Sequence, residues 1–124
     1  NKTLCHRLTT GGIFVLQCGD PTLSGGGSPT GWKGYADENL PKDAPANYPA
    51  GTVAMANSGP KTNGSQFFLI SGPSGVGLPP AYALFGQVVK GLEIVEAMQN
   101  VPTGAGDRPI TDVVINSVTI TVAD

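Results

Sequence analysis

Charge is what this chain has least of. Charged residues fill 13% of its 124 positions, with seven Lys and Arg against nine Asp and Glu and a formal net charge of −2. No basic cluster is visible, which argues against a nucleic-acid partner, since that role needs a concentrated positive surface. With one His and two Cys there is no cluster of metal-ligand type, and no metal or cofactor is expected. His6 has no evident Ser and Asp partners at recognisable spacing, so a hydrolase triad finds no support. No apolar run approaches the ~20 residues of a membrane span. No signal peptide is present, but the chain starts at Asn1 and not at Met, so an upstream segment is open to having been removed. There is no internal repeat and no boundary between domains, and a single domain over residues 1–124 is expected.

What the chain does hold is hydrophobic residues, 40%, with eighteen Gly and eleven Pro. That is enough apolar surface for a core, and many turns between short elements, which suits an all-β barrel or sandwich. Residues 3–9 and 13–18 read as two strands joined at Thr10-Gly11-Gly12, a plausible antiparallel hairpin. Residues 51–56, 66–71 and 82–89 read as further strands. Leu92, Val95 and Met98 fall at helical spacing with Glu93 and Glu96 near the start, predicting a short helix near 91–100. At 113–122 the alternation of Val118, Ile120 and Val122 with Thr119 and Thr121 predicts a half-buried strand. Residues 22–49 are rich in Gly, Pro, Ser and Asn, as a linker would be, but Trp32 and Tyr35 within them need cover and argue for an ordered, wrapping loop.

Between the strands at 51–56 and 66–71 lie nine polar or turn-forming residues, 57–65. That is too long for a tight hairpin, and such a loop between apolar flanks is usually ordered for a reason. A surface loop beside buried Phe67 and Phe68 is one reading. Two rings beside an amide lining a small apolar pocket is the other. A phosphate loop is excluded, because Ser65 stands where that motif needs Lys.

Residues 55–69, Met-Ala-Asn-Ser-Gly-Pro-Lys-Thr-Asn-Gly-Ser-Gln-Phe-Phe-Leu, closely resemble the signature segment of the cyclophilins, the cyclosporin-binding peptidyl-prolyl isomerases. Cys5-His6-Arg7 is similar to the family's aromatic-His-Arg motif, and Phe-Val-Leu-Gln-Cys-Gly-Asp-Pro at 14–21 to its Phe-Met-x-Gln-Gly-Gly-Asp segment, after a turn about two residues longer. Asp37-Glu38-Asn39 resembles the acidic end of the family's long loop. The resemblance, of a bacterial-like kind, runs almost end to end. It implies a mainly β, cyclophilin-like antiparallel β-barrel, incomplete at the N-terminus. The family's first two strands and first helix, roughly 40–50 residues at usual element lengths, precede the Arg-bearing strand and are absent here. A fragment, or a member cut or rebuilt, is expected.

Rotating an X–Pro bond breaks no covalent bond. Its barrier of about 18–20 kcal/mol is amide resonance, and uncatalysed exchange takes tens to hundreds of seconds. A catalyst must hold the proline and favour the twisted amide, whose nitrogen has become a better hydrogen-bond acceptor. By resemblance Arg7, with its always-charged guanidinium, donates there. Phe14, Val15, Phe68 and Leu78 wall the proline pocket. Gln17, Asn57 and Gln66 bond the substrate backbone, and Ala56 lines the neighbouring groove. His6, alternating with Cys5 and Arg7, reads as structural. The implied function is isomerisation of X–Pro bonds in peptides and unfolded proteins, without a covalent intermediate. A catalytically weak proline-peptide binding module or chaperone is the alternative.

Two departures bear on this. Gly77 stands where many cyclophilins carry a Trp just before the pocket Leu, which implies weak cyclosporin binding. Tyr82 stands where they carry a His, and keeps a flat wall and a hydroxyl. Cys5 and Cys18 fall on facing strands, where a disulfide is feasible if the Cα atoms lie within ~7 Å, and two buried free thiols are the other reading. A disulfide would imply an extracytoplasmic, oxidising compartment, free thiols a cytoplasmic one. With the first strand absent, the strand at 113–122 is expected to have an unpaired edge, giving an edge-paired oligomer or a less stable monomer.

Overall fold

The computed structural model describes residues 2–123. It holds seven strands: β1 (Thr3–Leu4), β2 (Arg7–Thr9), β3 (Val15–Cys18), β4 (Thr52–Met55), β5 (Phe67–Ile70), β6 (Leu84–Gln87) and β7 (Val114–Ile115). One helix, α1 (Leu92–Ala97), continues into a 3-10 turn at Met98–Asn100, so the expected helix near 91–100 is present. Strands β2-β3-β5-β4-β6 form one antiparallel sheet in that order, and β1 and β7 pair apart from it. Among the described residues the sheet does not close on itself, with β2 and β6 at its edges.

The sheet is buried on both faces, which is why its central strands read as near-continuous apolar runs. Side chains alternate sides along a strand. Val15, Ala54, Phe68 and Ile70 point into one core, shared with Tyr48 and Val76. Leu16, Cys18 and Phe67 point into the other, with Cys5 and Leu8 and under Met98, Val101 and Val113. Cys5 and Cys18 are joined there as a disulfide, with Cα atoms 4.0 Å apart.

Three strand boundaries differ from expectation. Residues 3–9 do not run as one strand. Thr3 and Leu4 pair with Ile115 and Val114, whereas Arg7 to Thr9 pair with β3, so the segment changes partner at Cys5 and His6. The last strand is two residues long, not ten. Among the described residues, 116–123 carry the Val/Thr alternation but lie outside the assigned strands, and Ile120 and Val122 are exposed. The strand expected at 82–89 shortens to β6, which sits at the sheet edge and exposes Phe85.

The wrapping loop at 22–49 is ordered and hydrogen-bonded to the signature loop, but its aromatics are not covered. Trp32 and Tyr35 are exposed. What holds the loop is polar. Tyr35 and the buried Asn63 exchange backbone bonds of 3.1 and 3.3 Å, and Asn63 Nδ2 donates to Asp37 Oδ1 at 2.9 Å.

Candidate functional site

The sheet register lays out the site. Arg7 pairs with Gln17, Gln17 with Phe68, and Phe68 with Ala54, so these four residues form a row across β2, β3, β5 and β4. Directly opposed residues share a face and stand ~4.5–5.5 Å apart. A cavity of about 180 Å³ opens beside this row. Arg7 and Gln17 form its polar rim, Val15, Phe68, Leu78 and Tyr82 its apolar wall, and Ala56 and Asn57 its far side. Strand alternation decides one departure from the expected set. Ile13, two residues before Val15, lines the cavity, and Phe14 does not. Phe14 instead packs beside Gly72, and its carbonyl accepts from the Ser71 N–H at 2.9 Å.

Three rings stiffen the apolar wall. Phe68 meets Tyr82 edge to face, with centroids 5.5 Å apart and planes at 83°, and Tyr48 lies behind both. Such pairs are worth ~0.5–1.5 kcal/mol beyond their area. Tyr48 is fully buried, and its hydroxyl donates to the Tyr82 carbonyl at 2.9 Å while accepting from the Tyr82 N–H at 3.0 Å. Burial pushes the Tyr48 phenol up from its ordinary value. Next to it, Asn47 brackets Leu78, donating to its carbonyl at 2.9 Å and accepting from its N–H at 3.0 Å. Asn47 and Tyr48 thus position two wall residues from the end of the long loop. Sequence reading missed them, because nothing in their local pattern announces a partner thirty residues away.

The polar rim is held by a relay that starts at Asp20. Its carboxylate is fully buried and accepts from the Thr22 N–H and hydroxyl at 2.7 Å each, from the Ser24 hydroxyl at 3.3 Å, and from the N–H groups of Gly25 at 2.7 Å and Gly27 at 3.1 Å. Burial opposes ionisation, but these bonds outweigh it and hold the carboxyl far below its usual range. Gly27 has no alternative residue, since a Cβ there would overlap Asp20 Oδ1 and Thr22 Oγ1. The loop so fixed offers the carbonyls of Gly25 and Gly27 to Gln66 Nε2 at 3.0 and 3.1 Å. Gln66 Oε1 accepts from Gln17 Nε2 at 2.8 Å, and Gln17 Oε1 accepts from Arg7 at 3.3 Å. One fixed carboxylate therefore orients the guanidinium at the rim. Gln66 lies in a neighbouring groove with Gln17, Ala56 and Asn57, and does not line the 180 Å³ cavity. The Asn57 amide donates to the Ala81 carbonyl at 2.8 Å and accepts from the Gly59 N–H at 3.1 Å, which fixes the side chain and leaves its second N–H and its main chain to meet a peptide.

His6 is buried, with both ring nitrogens unpartnered. Burial lowers its pKa from the ordinary 6.5, Asp20 pulls it up, and Arg7 and Arg108 push it down. The unfolded chain binds a proton near 6.5 that the folded chain refuses, so stability rises with pH through that window. Thermal unfolding should therefore show Tm falling as pH drops below 6.5, and His6→Gln should flatten that slope. Unchanged slopes in the two proteins would show that His6 does not titrate on unfolding. Among the described residues, no group of three His, Cys, Asp or Glu is placed to hold a metal ion, and no helix is long and apolar enough to cross a membrane.

Comparison with known proteins places the chain among known relatives. Residues 1–120 match the family model described as cyclophilin type peptidyl-prolyl cis-trans isomerase. The chain is 39% identical over 120 residues to peptidyl-prolyl cis-trans isomerase-like 3 of Dictyostelium discoideum, covering 97% of this chain and 72% of that protein. It is 47% identical over 131 residues to the probable peptidyl-prolyl cis-trans isomerase B of Mycobacterium leprae, covering 94% of this chain but 43% of the relative. A crystal structure of a Cryptosporidium parvum cyclophilin type isomerase superposes with a TM-score of 0.79 at 29% identity, over 100% of this chain and 76% of the other. A second crystal structure of that protein, in the presence of the dipeptide Ala-Pro, gives 0.78, also at 29% identity, over 99% of this chain and 77% of the other.

Proposed function

The chain belongs to the cyclophilin-type peptidyl-prolyl cis-trans isomerases, and on that premise we propose how its residues carry out the reaction. The proline ring enters the cavity walled by Val15, Phe68, Leu78 and Tyr82. Arg7, at the rim, donates to the prolyl nitrogen as the amide twists. The bond gains strength only when resonance is lost, so it stabilises the transition state more than either ground state. Gln17 holds Arg7 in place, and the main chain at Asn57 grips the flanking peptide. The observation that carries this reading is the register row, in which Arg7, Gln17 and Phe68 stand side by side and line one small cavity. The Ala-Pro dipeptide named with the Cryptosporidium structure supports a proline peptide as the occupant.

A protease-coupled assay on a proline tetrapeptide tests it. The slow phase should accelerate in proportion to protein concentration. Peptide binding without acceleration would leave only a proline-peptide binding module.

Weak cyclosporin inhibition is part of the same reading. Gly77 leaves the wall beside Leu78 without an indole, and its position accepts a Cβ without a clash. A Cβ at Gly77 meets only the Ala46 backbone nitrogen, at 3.5 Å, an ordinary contact. Gly77→Trp is expected to strengthen inhibition at least tenfold, a gain of ~1.4 kcal/mol. Nanomolar inhibition of the unaltered chain would overturn this.

The Cys5–Cys18 disulfide supports an oxidising compartment. Mass spectrometry after thiol alkylation without reductant should find neither sulfur labelled. The edge strand β6, Leu-Phe-Gly-Gln with Phe85 exposed and no Lys or Pro, supports an edge-paired oligomer. Light scattering would show a species above 12.6 kDa. A monomer unfolding cooperatively well above ~65 °C would exclude both pairing and the alternative of a weakened single chain.

A further inference from the structure

A second cavity, of about 420 Å³, adjoins the proline site and shares Arg7 and Gln17 with it. Its other walls are His6, the loop residues Leu23 to Gly25, and Ala105, Gly106 and Arg108. Two guanidiniums border it, and no carboxylate is among its lining residues. Asp20, the acid whose field reaches His6, spends both oxygens on its own loop. His6 is 7% exposed, and neither ring nitrogen has a hydrogen-bond partner. Buried polar groups are nearly always paired, so this imidazole marks a place where a polar partner belongs. Held neutral by its burial, it can still donate one N–H, while the arginines supply the charge. Two guanidiniums and a buried imidazole, with no carboxylate among the lining residues, favour an anionic ligand. Arg7 has several N–H groups and gives one to Gln17, so it can face both cavities.

We propose that this cavity is a subsite for a carboxylate side chain of the bound proline peptide, with Arg108 the residue that selects it. The proposal rests on the isomerase reading, because the peptide must already be seated at Arg7. An extended peptide advances ~3.3 Å per residue, so the acid lies within two or three positions of the proline. Arg108 is exposed and has no place in the proline cavity, so removing it leaves the reacting bond untouched.

The test uses Ala-Pro peptides carrying Glu, Gln or Lys at each of the two or three positions before and after proline. Exchange spectroscopy gives kcat/KM and calorimetry gives Kd, both at low salt. At one position Glu should be favoured over Gln about fivefold, the scale of one partly solvated charge pair, and Lys disfavoured. Salt should shrink the difference. Arg108→Ala should abolish the preference while the Gln peptide is turned over as before, which also shows that the variant folds. Arg108→Lys should restore part of it. A flat scan, or a preference that survives Arg108→Ala, would overturn the proposal. So would inorganic phosphate competing as well against the Gln peptide as against the Glu peptide, since the anion would then be free and not part of the peptide. If no peptide is accelerated but the Glu preference persists in Kd, the isomerase reading fails and the subsite stands.

Discussion

Replacing Arg7 by alanine is expected to lower kcat/KM more than tenfold, a loss of transition-state stabilisation above ~1.4 kcal/mol, with little change in peptide affinity. The split follows from the chemistry. A planar X–Pro amide offers its nitrogen as a poor acceptor, and a twisted one offers a good acceptor, so the Arg7 bond exists mainly at the top of the barrier. On the proposed reading the apolar wall holds the proline ring, and the substitution leaves that wall alone. Folding should also be nearly unaffected. Arg7 is half-buried, and the bond it gives up, to Gln17 at 3.3 Å, joins partly exposed side chains. Steady-state rates, peptide affinity and thermal unfolding on one preparation make the comparison. Equal losses of affinity and rate would make Arg7 a binding residue only.

Phe68→Ala should behave in the opposite way, lowering stability by ~3–5 kcal/mol and weakening peptide binding along with it. Phe68 is 4% exposed, sits in the middle of the register row, and touches both Tyr82 and Tyr48. Its removal opens a void where β3, β5 and β4 meet and takes away one wall of the cavity. Urea unfolding reads the stability, and the peptide titration reads the wall. A variant as stable as the parent would mean that the core closes over the gap. In that case a binding loss alone would assign Phe68 to the site and not to the core.

The two substitutions separate what a linear reading can see from what it cannot. The turn-forming residues at 57–65 between two apolar strands, the Arg beside Cys5 and His6, and the resemblance they carry were enough to name the cavity's Arg7, Gln17, Phe68, Leu78 and Tyr82. Arg7, Gln17 and Phe68 sit in strands, where alternation settles the geometry within a few positions, and Leu78 and Tyr82 lie in the loop before β6 and came from the resemblance. Phe14 and Val15 were both placed on the wall by resemblance, and the cavity takes Val15 with Ile13, from the bend before β3, in place of Phe14.

Composition and pattern alone determined a β-rich chain with one short helix, because turn residues and periodicity are local. The proline site and its cation came from the resemblance of residues 55–69 and of Arg7 to the family's motifs. Tertiary structure alone decided which backbone groups found partners. It divided residues 3–9 between two sheets and cut the expected strand at 113–122 to Val114 and Ile115. It also carried the Asp20 relay through Gln66 and Gln17 to Arg7, and set Asn47 and Tyr48 behind Leu78 and Tyr82. These contacts join residues up to 49 positions apart. A hydrogen bond at that separation depends on how the whole chain packs, and no periodicity along the sequence records it.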